Sequence, residues 1–181
     1  MGALTARLAL LAAFCLALPS WAQTELRATE AQVKAAFLYK FGAFVEWPPR
    51  AFSKADTPYT IGLIGADAVV DELERVAEGR TVHGRPVAVH RVKRGEPLAG
   101  LHVLFVGKTE TGRLADILAT AKAQSLLVVT EAAEGLPQGS IINFVPVENK
   151  LRFDIALAHA ERVQLRISAR LLALARKVVS G

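Results

Sequence analysis

Cysteine is almost missing from this chain: the single one is Cys15. It falls inside an N-terminal apolar segment, so the rest of the chain is expected to hold no disulfide, no thiol nucleophile and no cysteine-based metal site. Stability must then come from packing. Past that segment no apolar run is long enough to cross a bilayer. The net charge of +5 is spread along the chain. No block of five basic residues and no basic–aromatic interleaving occurs, which argues against nucleic acid as a partner. Weak attraction to an anionic surface or ligand is what the charge allows.

Catalytic patterns are missing as well. His83, His90, His102 and His159 show no helical ligand spacing and no acidic cluster beside them, although His83 and His90 could meet across a turn. No G-x-S-x-G elbow exists, and Ser168 reads as a helix N-cap. Glu72, Glu74, Asp116 and Glu161 lie on solvated helix faces and form no acid–base pair. Gly62 and Gly65 follow a strand, but a dinucleotide turn would need a third glycine, and Asp67 would face the phosphate. The reading is of a protein that is not an enzyme and carries no cofactor and no metal.

What is present begins with a secretory signal. Arg7, the run LALLAAFCLAL and the small-residue site Ser20-Trp21-Ala22 predict cleavage after Ala22, hence export and, in a bacterium, a periplasmic location. The remainder, residues 23–181, suits one domain, with no repeat, low-complexity tract or dividing linker.

Apolar periodicity predicts a helix over 29–47 capped by Thr29 and ended by Pro48-Pro49. A strand over 59–65 follows, then a helix from Asp67, as cap, to Glu78, and a strand over 86–92. Strands over 101–107 and 125–130 flank a helix over 111–123. Strands over 140–147 and 150–155 form a hairpin turning at Glu148-Asn149. Helices over 156–164 and 168–179 close the chain. The alternation predicts an α/β fold: a single three-layer domain with a mixed, mostly parallel sheet, helices on both faces, and a C-terminal β-hairpin plus two helices.

The first helix carries the stretch AAFLYKFGAFVEWP, residues 35–48. At 100° per residue, Val33, Phe37, Phe41 and Phe44 share one side, flanked by Ala36 and Trp47 and widened by Leu38 and Val45. Most of this density reads as core. Lys40 falls inside that arc, and a buried unpaired ammonium costs several kcal/mol. Either it snorkels out along its stem, or it pairs with a C-terminal carboxylate, Asp154 first. Arg152 and Asp154 alternate on one strand and face the same way, as an edge ion pair or as contacts. Asn143, within an apolar strand, reads as a hydrogen-bonded structural amide. Trp47 covers a core end or projects to a partner. The partner- or ligand-contact candidates are Lys40, Phe44, Glu46, Trp47, Asn143, Arg152, Asp154 and Arg170; Lys40, Arg152 and Arg170 would serve an anionic ligand.

These segments also carry a resemblance. AAFLYKFGAFVEWP, IGLIGADAVVDEL, LHVLFVG and SIINFVPVENKLRFDIALAHAERVQLRISARLLALA, in that order, resemble the motifs of the YfiR family of periplasmic proteins. The resemblance implies an α/β domain that represses a membrane-anchored diguanylate cyclase by binding its periplasmic region. That control sets cyclic-di-GMP and biofilm formation. It also implies an outer-membrane lipoprotein that sequesters the repressor, and homodimers. The alternative is a periplasmic small-ligand-binding or sensor accessory protein acting with another receptor. Two departures stand out. The cysteine pairs of some members are absent, and Ala156 follows Phe153-Asp154-Ile155 where the family often has Asn after Phe-Glu-Ile.

Overall fold

A capping box opens the first helix of the structure, a computed structural model that describes residues 29–122 and 124–180. Thr29 Oγ1 accepts from the Gln32 N–H at 3.2 Å, and Gln32 Oε1 accepts from the Thr29 N–H at 2.9 Å. Two donors with no intrahelical partner are thereby satisfied. This helix, α1, spans Glu30–Phe44 and stops earlier than the predicted 47. The residue before a proline is pushed out of the helical region. The extended chain is then captured by a partner: β1 (Val45–Glu46) pairs antiparallel with β9 (Arg166–Ile167), and the Ser168 N–H donates to the Phe44 carbonyl at 2.9 Å.

The main sheet has eight strands. In chain order these are β2 (Tyr59–Ile64), β3 (Thr81–Val82), β4 (Arg85–Arg91), β5 (Val103–Val106), β6 (Leu127–Thr130), β7 (Ile142–Val147), β8 (Lys150–Ala156) and β10 (Lys177–Val179). Their spatial order is β10-β8-β7-β6-β5-β2-β4-β3. The run β7-β6-β5-β2-β4 is parallel; β8 and β3 pair antiparallel to their neighbours, and β10 runs parallel to β8. The mixed, mostly parallel sheet expected from the sequence is therefore present. The chain leaves β2 toward β4 on one side and returns to β5 on the other, so the direction of winding reverses between β2 and β5.

Strand alternation sorts the core into two layers. Ile61, Leu63, Val103, Phe105, Leu127 and Val129 face α1 and α2 (Asp67–Ala77); Ile64, Leu104, Val106 and Val128 face Leu118 and Ala121 of α3 (Leu114–Ala121). Helices thus lie on both faces. Gly42 lets α1 approach closely: a Cβ there would sit 2.9 Å from the Tyr59 ring and from Val82.

Two end signals resolve differently from the expectation. Asp67 is the first residue of α2, not its cap; Ala66 holds the cap position without a side-chain bond, and Asp67 pairs with Arg91 instead. A 3₁₀ stretch of about two turns, Lys108–Arg113, precedes α3 where helix was expected from 111.

The hairpin follows its sequence. Glu148 and Asn149 have φ of 46° and 61°, as a two-residue I′ turn needs, and Val147 faces Lys150. The C-terminal helix does not. After α4 (Leu157–Arg162), α5 runs only over Ala169–Leu174, with Ser168 as its cap: the hydroxyl accepts from the Leu171 N–H at 3.3 Å. The chain then extends, and Lys177–Val179 joins β8 as an edge strand. The apolar face predicted for 168–179 has no surface to cover its far half. The Val178-Val179 pair suits a strand, and pairing with β8 satisfies its backbone.

Candidate functional site

Three polar constructions sit around this frame. The first is at the carboxyl ends of the parallel strands, where open α/β sheets bind ligands. Here the position is filled from within. Gly107 packs on the loop after β2, a Cβ on it falling 2.1 Å from the Gly65 carbonyl oxygen, and Thr109 Oγ1 donates to that carbonyl at 3.0 Å. Beside it, Glu131 follows β6 and is half-buried, its side chain largely covered. One of its oxygens accepts from the Lys108 N–H at 2.8 Å, and the other pairs with Lys34 of α1. Glu30 pairs with Lys34 at 2.6 Å and with Lys108 at 3.4 Å. Burial pulls the Lys34 ammonium down, but the bonds to Glu131 and Glu30 outweigh it, and its pKa ends above the ordinary lysine value. The hydrogen bond from Lys34 holds the Glu30 carboxyl below the usual carboxylate value. This quartet ties α1 to the strand ends.

The second construction pins the opposite strand ends. His102 precedes β5 and is buried. Its Nδ1 accepts from the Thr60 N–H at 3.1 Å, and Nε2 lies 3.1 Å from the Ala51 carbonyl, so the neutral Nε2–H tautomer satisfies both. Burial pushes its pKa below the ordinary value, against the Ala51 bond. Trp47 Nε1 donates to the His102 carbonyl at 3.2 Å, and its ring meets Tyr59 edge-on with centroids 5.1 Å apart. Trp47 therefore covers a core end.

The third is a cavity of about 400 Å³ on the sheet's C-terminal edge, lined by Asp154, His159, Arg162, Arg176 and Lys177 among others. Asp154 is buried, and Arg176 grips it through Nε at 2.8 Å and through a second nitrogen. The bond to Asp154 raises the Arg176 guanidinium further above its usual value. Asn143 faces Asp154 across the β7–β8 ladder. Its amide bonds to both the N–H and the carbonyl of Ala132, at 2.8 and 3.1 Å, and accepts from Thr130 Oγ1 at 2.7 Å. It is the structural amide expected.

The structure corrects the reading of Lys40, which is exposed on α1 and pairs with nothing in the C-terminal hairpin. The buried lysine is Lys34. Buried positions on α1 are Lys34, Ala35, Leu38, Phe41 and Gly42, an arc centred near Leu38. Lys40 lies about 200° round from Leu38, whereas Lys34 lies about 40° away. Apolar residues surround this helix almost completely, so its phase is weakly specified by pattern alone; Phe37 and Phe44 end up half-buried at the flanks. Glu46 is exposed and pairs loosely with Arg166 at 3.9 Å. Arg152 and Arg170 are exposed. Of the eight candidates, only Asn143 and Asp154 come together. The edge ion pair expected between Arg152 and Asp154 is replaced by Asp154–Arg176. His83 and His90 stay apart: His83 Nε2 lies 3.3 Å from the Val45 carbonyl, and His90 bonds Glu96 at 2.8 Å. Lys34, Glu131 and Arg176 escaped sequence reading because their partners lie far along the chain.

Comparison with known proteins decides the family. The model of the YfiR/HmsC-like family matches residues 31–176. The chain belongs to the YfiR/HmsC-like family. The match runs from the first turn of α1 to Arg176, and so takes in the Lys34–Glu131 pair, the His102 hub and the Asp154–Arg176 edge. No curated protein matches the chain significantly. No described helix is long and apolar enough to cross a membrane. The expected signal peptide, residues 1–22, lies outside the described residues.

Proposed function

We propose that this chain is a periplasmic regulatory binding protein. In this reading it represses a membrane-anchored diguanylate cyclase by binding the cyclase's periplasmic region, and so controls cyclic-di-GMP and biofilm formation. The observation that carries the reading is membership of the YfiR/HmsC-like family over residues 31–176. The signal-like N-terminus agrees with it.

The surface we assign to the partner is the C-terminal edge. Leu174 is 60% exposed and Val178 37% exposed, the exposed large apolar side chains among the described residues. They belong to α5 and β10, and β10 ends the sheet, leaving one row of its backbone groups open to another chain. Exposed Arg170 lies on the same helix. An outer-membrane lipoprotein or a second copy of this chain would compete for that edge.

The test is cyclic-di-GMP in a strain lacking this gene, complemented with wild-type protein or with Leu174→Ser/Val178→Lys. Repression is expected to be restored by the wild type and lost in the double variant, with secretion and folding unchanged. If deletion leaves cyclic-di-GMP unaltered, the accessory-protein reading with another receptor takes its place.

A further inference from the structure

Between α3 and α4 lies a groove of about 760 Å³ that neither the family nor the partner surface accounts for. Its size falls in the range of small-molecule sites. Its floor is apolar and well ordered by packing: Leu118, Leu126, Val128 and Ile141 are all buried. Gly139, at φ 101°, brings the loop after β6 against α3, where a Cβ would lie 3.4 Å from Leu118 Cβ. The lining takes residues of α3 from Leu114 to Ala121 and on to Lys122. At 1.5 Å per residue the groove therefore follows about 12 Å of helix axis.

The charge at this groove has one sign. Lys122 and Arg162 line it, and no Asp or Glu does among the described residues. Neither cation forms a salt bridge among the described residues. Arg162 spends only its Nε, on the Ala158 carbonyl at 3.2 Å. His159 stands at the same place, its Nδ1 lying 2.7 Å from the Ser140 carbonyl and its Nε2 making no hydrogen bond with a described residue. His159 and Arg162 also line the neighbouring 400 Å³ cavity, where Arg176 and Lys177 add positive charge.

We propose that this groove binds an amphipathic anion, with an extended apolar chain along α3 and an anionic head between Lys122, Arg162 and His159. An unbranched apolar chain fits a groove of this length. Both cations are exposed at the groove and offer an anionic head charge-assisted hydrogen bonds that a neutral head forms more weakly. The groove adjoins the C-terminal edge through His159 and Arg162 but takes no lining residue from α5 or β10, so its binding is tested apart from the cyclase reading.

The test is isothermal titration of the purified protein with decanoate, decyl phosphate, decanol and decyltrimethylammonium. Saturable one-to-one binding of decanoate or decyl phosphate is expected, at least about tenfold tighter than decanol, with the cationic amphiphile weakest. The better of the two anions tells a carboxylate head from a phosphate head. Lys122→Ala/Arg162→Ala should remove the preference for the anion over decanol. Ala119→Trp, at an exposed groove position, should fill the groove and abolish binding while the urea midpoint stays near wild type. The proposal is overturned if neither anion saturates below about 1 mM, if decanol binds as well as they do, or if folded Ala119→Trp protein still binds.

Discussion

Lys34 and Glu131 stand 97 positions apart and meet as a largely buried ion pair at the carboxyl ends of the strands. One comes from the first helix and the other from the residue after β6. Without Lys34, the Glu131 carboxylate keeps only the Lys108 N–H and a distant Lys108 ammonium, and an under-compensated charge in a largely buried place is costly. Lys34→Met is therefore expected to destabilise the fold by about 3 kcal/mol, measured by urea unfolding. Lys34→Met/Glu131→Leu should recover much of that loss. A double variant as unstable as the single one would refute the pairing.

The same quartet sets a pH window. Lys34 has a raised pKa, so its contribution is complete below the ordinary lysine value and is lost as pH climbs through the folded one. Glu30 has a lowered pKa, so its contribution, reduced by exposure to solvent, is complete above the ordinary carboxylate value and fades as pH falls through the folded one. Replacing Glu30 by Gln should flatten the acid limb of stability only slightly.

His102 acts nearer neutrality. Its folded pKa is depressed, so the unfolded chain binds the extra proton first. Stability is complete above about 6.5 and declines as pH falls below it. Protonating Nδ1 also breaks the bond from the Thr60 N–H. Urea midpoints between pH 7 and pH 5 should fall for wild type and fall less for His102→Gln; parallel slopes would contradict this.

Tyr59 is fully buried, and its hydroxyl has no hydrogen-bond partner among the described residues. Burial drives its pKa well above the usual phenol value. Tyr59→Phe removes an unsatisfied polar atom and should leave stability equal or raise it by about 1 kcal/mol. Gly42→Ala, by contrast, forces a methyl against that ring and should cost about 1–3 kcal/mol. Thermal midpoints check both, and a destabilised Tyr59→Phe would show that the hydroxyl is used.

Arg176 holds the chain where α5 gives way to β10. Arg176→Ala leaves the Asp154 carboxylate buried without its partner, so β10 should open locally. Amide hydrogens of 177–179 are expected to exchange faster than in wild type while those of β5 and β6 are unchanged. Lys40→Met serves as the contrasting surface change, with stability unaltered within about 0.5 kcal/mol.

What the sequence determined by itself was local. Thr29 and Ser168 cap their helices, and Glu148-Asn149 turns the hairpin, because each acts through backbone a few residues away. The apolar runs became strands in the expected order for the same reason: alternation and β-branching bias the chain before any contact forms. The tertiary structure decided everything that needed a distant partner. Lys34, not Lys40, is the buried lysine because α1 rotates to bury the arc around Leu38 against the sheet, where Phe41 meets Phe144 and Phe153 and Gly42 meets Tyr59. Arg176, not Arg152, grips Asp154, and Lys177–Val179 leaves the helix because β8 offers its backbone a ladder. A helix that is apolar on nearly every side, or a segment that suits helix and strand alike, has its conformation chosen by whichever surface the rest of the fold presents.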